Sequence, residues 1–133
     1  MVNVPERDAA RFRSSQRLRT LADFQRVYRA RVTAADGVLV VYGLPNDGPY
    51  SRLGLSVSRK VGNAVVRNRW KRVVREAFRM HAGELPPRLD LIVVPKRNAP
   101  PSLAEAVASL VRLSADVARR LERRRRTTAD ERN

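Results

Sequence analysis

The run GNAVVRNRWKRVVREAFR (62–79) concentrates the side chains with the most to say about chemistry. At a helical pitch of about 100° per residue, with Val66 as zero, Trp70, Val73, Val74, Ala77, Met80 and His81 fall within roughly 80° of it. Asn68, Lys71, Arg72, Arg75 and Arg79 occupy the far side, between about 140° and 240°, and Arg67 and Arg69 flank the boundary. The series Arg67, Lys71, Arg75, Arg79 puts like charges four residues apart, an arrangement that costs stability. Glu76, at the edge of the ridge, is the helix's single acid. Such a face is built to meet a polyanion.

The rest of the composition agrees. Lys and Arg number 28 against 13 Asp and Glu, so the formal net charge is 28 − 13 = +15. Only Lys60, Lys71 and Lys96 are lysines. Arginine presents a planar fork of donors that suits phosphate and stacks on bases, which favours nucleic acid over mere solubility. The absence of Cys excludes disulfides, thiolate metal sites and Cys nucleophiles. The one His, His81, lies on the apolar side of the helix, and Asp23, Asp36, Asp47, Glu76 and Asp90 are scattered. A protein-only metal nuclease needs clustered carboxylates. No apolar run approaches the roughly 18 residues of a membrane span, and the N-terminus is unlike a signal peptide, so the expected location is cytoplasmic.

The elements that must position this helix follow from periodicity and turn chemistry. A chain of 133 residues, 43% hydrophobic, suits one domain. We expect a basic flexible arm over 1–17, a single α/β domain over 18–121 and a basic, frayed tail over 122–133. Thr20 opens a first helix, with Leu21, Phe24, Val27 and Tyr28 on one face. A short strand can form near 31–34. The runs 37–45 and 52–58, separated by Asn-Asp-Gly-Pro, read as an antiparallel hairpin. Asn63 caps the basic helix, which runs from Ala64 to about His81. LDLIVVP (89–95) reads as a buried strand, and SLAE (102–105) opens a last amphipathic helix. The fold class is α+β, a two-layer sandwich in α-β-β-β-α-β-α order with helices against one sheet.

The run LGLSVSRKVGNAVVRNRWKRVVREAFR (53–79) resembles the signature of the bacterial ribonuclease P protein subunit, centred on Arg67-Asn68-Arg69 and preceded by Ser58-Arg59-Lys60 and Gly62-Asn63-Ala64. LADFQRVY (21–28) is similar to that family's first helix, and Tyr42 matches the aromatic of its first long strand. The likeness extends over about residues 17–121 in order and spacing.

The resemblance implies a small mixed sheet with a left-handed βαβ crossover around the signature helix. It also implies a partnership with a large catalytic RNA that removes the 5′ leader from precursor tRNA. Mg²⁺, held mainly by the RNA subunit and substrate, would carry the hydrolysis, with no catalytic protein residue. By matched position, Arg59, Lys60, Asn63, Arg67, Asn68, Arg69, Lys71, Arg72 and Arg75 would contact the catalytic RNA. Phe24, Tyr28 and Tyr42 would line a groove for the single-stranded leader, with phosphates held near Ser56 and Ser58. Aromatic platforms stack any base and so tolerate differing leader sequences. Two other readings share the charge: a ribosomal-type RNA-binding protein, which needs no exposed stacking residues, and a DNA-binding protein, whose helix should carry base-reading side chains and a dimer interface.

Overall fold

A computed structural model describes residues 16–132. The expected arm over 1–17 falls largely outside them. Its last two residues, Gln16 and Arg17, do not: Arg17 bridges in parallel to Leu53, and the Leu18 amide donates to the Leu53 carbonyl at 2.9 Å.

The chain forms α1 (Leu21–Ala30), β1 (Thr33–Ala35), β2 (Leu39–Pro45), β3 (Arg52–Leu55), a 3₁₀ turn (Arg59–Val61), α2 (Ala64–His81), β4 (Leu89–Pro95) and α3 (Leu103–Arg132). Each helix start is where the sequence predicts it. The hydroxyl of Thr20 accepts from the Asp23 amide at 3.1 Å, Asn63 Oδ1 from Val66 at 3.0 Å and Ser102 from Glu105 at 3.4 Å. These side chains satisfy amides that the first helical turn leaves without partners.

The sheet order is β1-β2-β4-β3. The expected hairpin between 37–45 and 52–58 is therefore wrong. β2 and β3 never touch as neighbours, because β4 lies between them, antiparallel to β2 and parallel to β3. The physical reason is the composition of β4. LDLIVVP is buried on both faces, all but Val94, and a strand apolar on both sides belongs in the middle of a sheet. α2 is the crossover that makes β3 and β4 parallel. The true hairpin joins β1 to β2, in register Thr33↔Tyr42, Ala34↔Val41, Ala35↔Val40. Its turn is held by Asp36, whose Oδ1 accepts from the Val38 and Leu39 amides at 2.8 and 2.9 Å. An Asx turn of this kind needs only a short carboxylate and no Asn-Gly pair.

Alternation along the strands separates two apolar clusters. Leu39, Val41, Leu53, Leu91 and Val93 pack with Trp70, Val74, Ala77 and Phe78 of α2 and Ala106, Leu110, Leu113, Val117 and Leu121 of α3. Gly43 lets α3 close on the sheet, since a Cβ there would meet Val117 Cγ1 at 2.4 Å. The reverse face carries α1, packed through Leu18, Val27 and Ile92 with Phe24, Tyr28, Tyr42, Leu44 and Val94 half-buried around them.

Three details of the stripes differ from expectation. Leu21, assigned to the apolar side of α1, is 74% exposed, because the first turn projects past the sheet. On α2 the buried set is Trp70, Val74, Ala77 and Phe78, while Met80 lies in solvent. The third is the tail. α3 runs unbroken to Arg132 instead of fraying at 122, with Glu122 paired to Arg125 at 2.7 Å and to Arg126 at 3.3 Å. Pairs three and four residues apart support an exposed helix.

Among the described residues one charged group is fully buried: Asp90, on the central strand, facing α1. Arg52 grips it through two bonds of 2.8 and 2.7 Å, Arg26 of α1 reaches it at 2.5 Å, and Asn46 donates at 2.9 Å. Burial pushes its pKa up, but the bonds from Arg52, Asn46 and Arg26 outweigh this and hold the carboxyl below its ordinary value. Asp36 is also opposed by burial, yet bonds from Leu39, Ser109, Val38 and Arg112 bring it from 3.8 to about 2.

Both carboxylates are harder to protonate folded than unfolded, so the stability they provide is complete above their ordinary pKa. It drains as pH falls, for Asp36 between 3.8 and about 2. Thermal melts should therefore hold steady down to about pH 4 and drop steeply below it. Asp90→Asn should cost about 1–3 kcal/mol in urea denaturation, since two partly exposed arginines lose their buried partner. A variant as stable as the parent would show that this cluster does not hold α1 to the sheet.

Candidate nucleic-acid interface

α2 presents its cations as the angles require. Asn68, Arg69, Arg72 and Arg75 are exposed, and Arg67 and Lys71 half-exposed. Arg67 Nη1 donates to the Gly62 carbonyl at 3.0 Å, which ties the first turn of the ridge to the loop before it. Asn63 spends its side-chain oxygen on the helix cap and keeps its amide for a partner. Arg59 and Lys60 project from the 3₁₀ turn just upstream, both exposed. Ser58 caps that turn, its hydroxyl accepting from the Lys60 amide at 3.1 Å. Arg79 is neutralised by Glu76 at 2.6 Å.

Sequence reasoning missed a contributor to this face. Arg17, ahead of α1, joins Asn68, Lys71, Arg72, Arg75, Glu76 and Arg79 around a shallow pocket of about 430 Å³. Burial, then repulsion from Arg17, pushes the Arg75 pKa down. Charge crowded in this way is relieved by an anion. The only local sign of Arg17's place is the β-bridge to Leu53, which no periodicity encodes.

The aromatics meet on the other face of the sheet. Tyr28 packs edge-on against Tyr42, ring centres 4.8 Å apart, and Phe24 lies 6.4 Å from Tyr28. All three are half-buried, so each ring offers part of its surface to solvent. Gly54 lets Phe24 lie down on the sheet: a Cβ at that position would meet the ring's Cζ at 2.8 Å and Leu18 at 3.2 Å. Ser56, half-buried, continues β3 beyond its last paired residue, its amide donating to the Val93 carbonyl at 3.1 Å.

Two further pockets carry cations. One of about 330 Å³ has Arg17, Arg19 and Arg75 on its walls together with Phe24, Leu53 and Leu55. The cationic ridge and the ring cluster thus share a wall through Arg75 and Phe24. The other, of about 410 Å³, brings Ser58 and Lys60 together with Lys96, Arg97 and Asn98 after β4. Lys96 and Arg97 also escaped sequence reasoning. Their signal was a Lys-Arg pair directly after a strand-ending proline, uninformative until β4 is known to neighbour β3.

Among the described residues no group of three or more His, Cys, Asp or Glu could hold a metal ion. His81 pairs with Glu84 at the end of α2. Asp90 has its oxygens taken by Arg52, Arg26 and Asn46. Nor is any helix among the described residues long and apolar enough to cross a membrane.

Comparison with known proteins places the chain among relatives of one family. The family described as ribonuclease P matches residues 12–118. The ribonuclease P protein component of Alkaliphilus metalliredigens is 33% identical over 96 residues, covering 72% of this chain and 86% of the relative. That of Oleidesulfovibrio alaskensis is 47% identical over 83 residues, covering 59% of this chain and 66% of the relative. The structure of the Staphylococcus aureus RNase P protein superposes with a TM-score of 0.66 at 37% identity, over 74% of this chain and 91% of that one.

Gly54→Ala tests the seat of Phe24. The added methyl should displace the ring and cost about 1–3 kcal/mol, as overpacking does. A change in near-ultraviolet circular dichroism without loss of helix signal would mark a local shift of the ring cluster.

Proposed function

The chain belongs to the ribonuclease P protein family, and we propose on that premise that its two faces hold two different RNAs. As the protein component of ribonuclease P it works within a ribonucleoprotein whose RNA subunit does the catalysis. The α2 face, with Arg59, Lys60, Asn63, Arg67, Asn68, Arg69, Lys71, Arg72 and Arg75, binds that catalytic RNA. The groove of Phe24, Tyr28 and Tyr42 receives the single-stranded 5′ leader of precursor tRNA. Ser56 and Ser58, with Lys60, Lys96 and Arg97 beside them, hold its phosphates. The observation that carries this reading is the shared wall, on which Arg75 of the ridge and Phe24 of the groove line one pocket. A substrate strand stacked on the rings then lies next to the RNA gripped by the helix.

Division of labour follows from the side chains. Arginine and lysine neutralise phosphates and release counterions, which gives affinity without regard to sequence. Half-exposed rings stack on any base, which suits a substrate class with varied leaders. Magnesium belongs with the RNA. The carboxylates among the described residues are dispersed or already bonded to arginine, a poor donor set for a hard cation that needs oxygen ligands. What the protein supplies to hydrolysis is position: it brings leader and catalytic RNA together and offsets their mutual repulsion. A ribosomal-type protein would need the ridge alone, and the ring cluster favours the substrate-holding role.

Cleavage of precursor tRNA by the cognate catalytic RNA at low Mg²⁺ tests the whole reading. Adding the protein should restore 5′ cleavage, while protein alone cuts nothing. Arg67→Ala/Arg69→Ala/Arg72→Ala should weaken assembly with the RNA and lower the salt dependence of binding by about two to three contacts' worth. Phe24→Ala/Tyr42→Ala should weaken leader-bearing substrate by about 1–3 kcal/mol per lost stack and leave mature tRNA unchanged. Equal losses for both substrates would reduce those rings to supports of the fold.

A further inference from the structure

The arginine-rich end of α3 lies past residue 118, where the family match stops, and none of the roles above uses it. From Arg119 to Arg126 six arginines stand against one acid, Glu122. Leu121 is the last buried side chain of the helix, and every residue from Arg123 to Glu131 is exposed. With Leu121 as zero, Arg119, Arg123 and Arg126 fall between about 140° and 200°. They form a strip that faces straight away from the core.

The flank of this strip is anchored. Arg124 Nη1 donates to the Ala30 carbonyl at 2.6 Å, and Arg120 donates to the Thr33 carbonyl. These bonds lay the helix across the C-terminal end of α1 and the edge strand β1, where Arg29 and Arg31 are exposed. Arg120, Arg123 and Arg124 line a shallow pocket of about 310 Å³ with Thr127, Thr128 and Glu131. In the order β1-β2-β4-β3 this is the sheet edge opposite β3, the strand that leads into Arg59 and Lys60. The chain therefore carries two basic surfaces at opposite edges of one sheet.

We propose that this end of α3 is a second RNA contact, one that grips the phosphate backbone of a double-helical segment of the same ribonucleoprotein. The proposal rests on the reading that the chain's partner is the catalytic RNA. Its chemistry comes from what the helix carries and what it lacks. Between Arg119 and Glu131 there is no aromatic residue to stack an unpaired base, and no Asn or Gln to read a base edge. Contacts of arginine to phosphate alone are indifferent to sequence. Neighbouring arginines on the strip stand about 5–6 Å apart, a spacing suited to following a phosphate backbone. On the flank, the Thr128 hydroxyl in the pocket with Arg120, Arg123 and Arg124 suits the 2′-hydroxyls of an RNA duplex. A membrane surface is disfavoured, because an interfacial helix needs a large apolar face and this one has no large apolar residue after Leu121. The in-chain ion pairs of Arg119, Arg125 and Arg126 are exposed and weak, and they yield readily to phosphate.

The full chain should be titrated onto its cognate catalytic RNA across a monovalent salt series. Three proteins are compared: unsubstituted, Arg123→Gln/Arg126→Gln, and the α2 triple Arg67→Ala/Arg69→Ala/Arg72→Ala. Loss of two phosphate contacts should lower the slope of log K against log salt by about 1–2 and weaken binding about 3–30-fold at moderate salt. Thermal melting should change little, since both substituted side chains are exposed and Arg126 gives up only a weak surface pair with Glu122. The same pair should weaken binding to a blunt RNA duplex of roughly 20 base pairs, a length that spans successive grooves. Unchanged slope and affinity for the tail variant, with the α2 triple still weakened, overturns the second contact. Unchanged binding by the α2 triple as well overturns the RNA-partner reading beneath it. A tail effect on the catalytic RNA with none on the duplex overturns the assignment to double helix.

Discussion

The buried carboxylate of Asp90 is the point on which the rest of the structure hangs. It sits on the central strand and holds three other parts of the chain: Arg26 from α1, Arg52 from β3 and Asn46 from the loop after β2. A lone charge in that position would be strongly disfavoured. With two guanidinium groups around it, the charge becomes a device for orientation. Arg26 is on the helix that carries Phe24 and Tyr28, so the bond that neutralises Asp90 also sets how those rings face Tyr42. Burial and function meet at one residue, and that residue touches neither RNA nor substrate in the proposed arrangement.

α2 shows the complementary solution, a ridge of like charges with a single acid, Glu76, along it. Glu76 answers only Arg79, so the ridge keeps its repulsion. The helix tolerates this because its other side places Trp70, Val74, Ala77 and Phe78 between the sheet and α3. Full burial of large apolar side chains contributes about 1.5–3 kcal/mol each, whereas each like-charge pair costs a few tenths. The packed side therefore outweighs the repelling side, and the ridge persists in the fold.

Much of this was legible in the sequence. Capping residues marked all three helix starts, and helical angles separated the cationic ridge of α2 from its buried side. The pairing of strands was not. Turn residues at 46–49 suggested a hairpin between neighbours, but β3 instead pairs in parallel with residues 90 − 52 = 38 positions downstream, which has no local signature. Its only trace was that β4 is apolar at almost every position, the mark of a central strand. Asp90 looked like one more scattered acid until β4 moved to the middle. Arg17, Lys96 and Arg97 were invisible for the same reason, since each joins the site through a strand pairing and not through its own neighbours in the chain. The length of α3 was missed because composition alone cannot tell a basic tail from a basic helix stitched by Glu122.

The place of β4 also has a consequence for how the molecule is made. The strand at the centre of the sheet is the last of the four to leave the ribosome. Before it appears, only the hairpin of β1 and β2 can form, and a two-stranded ribbon is marginal in water. β3 and α2 must wait with their apolar sides uncovered, and α1 has no sheet to lie on until Asp90 arrives to meet Arg26 and Arg52. Assembly is thus a late, collective event dominated by contacts between distant parts of the chain, a topology that slows folding. During that interval the cations of α2 and of residues 119–126 keep nascent chains apart, so the same charge that prepares the protein for its partner also protects it from its siblings.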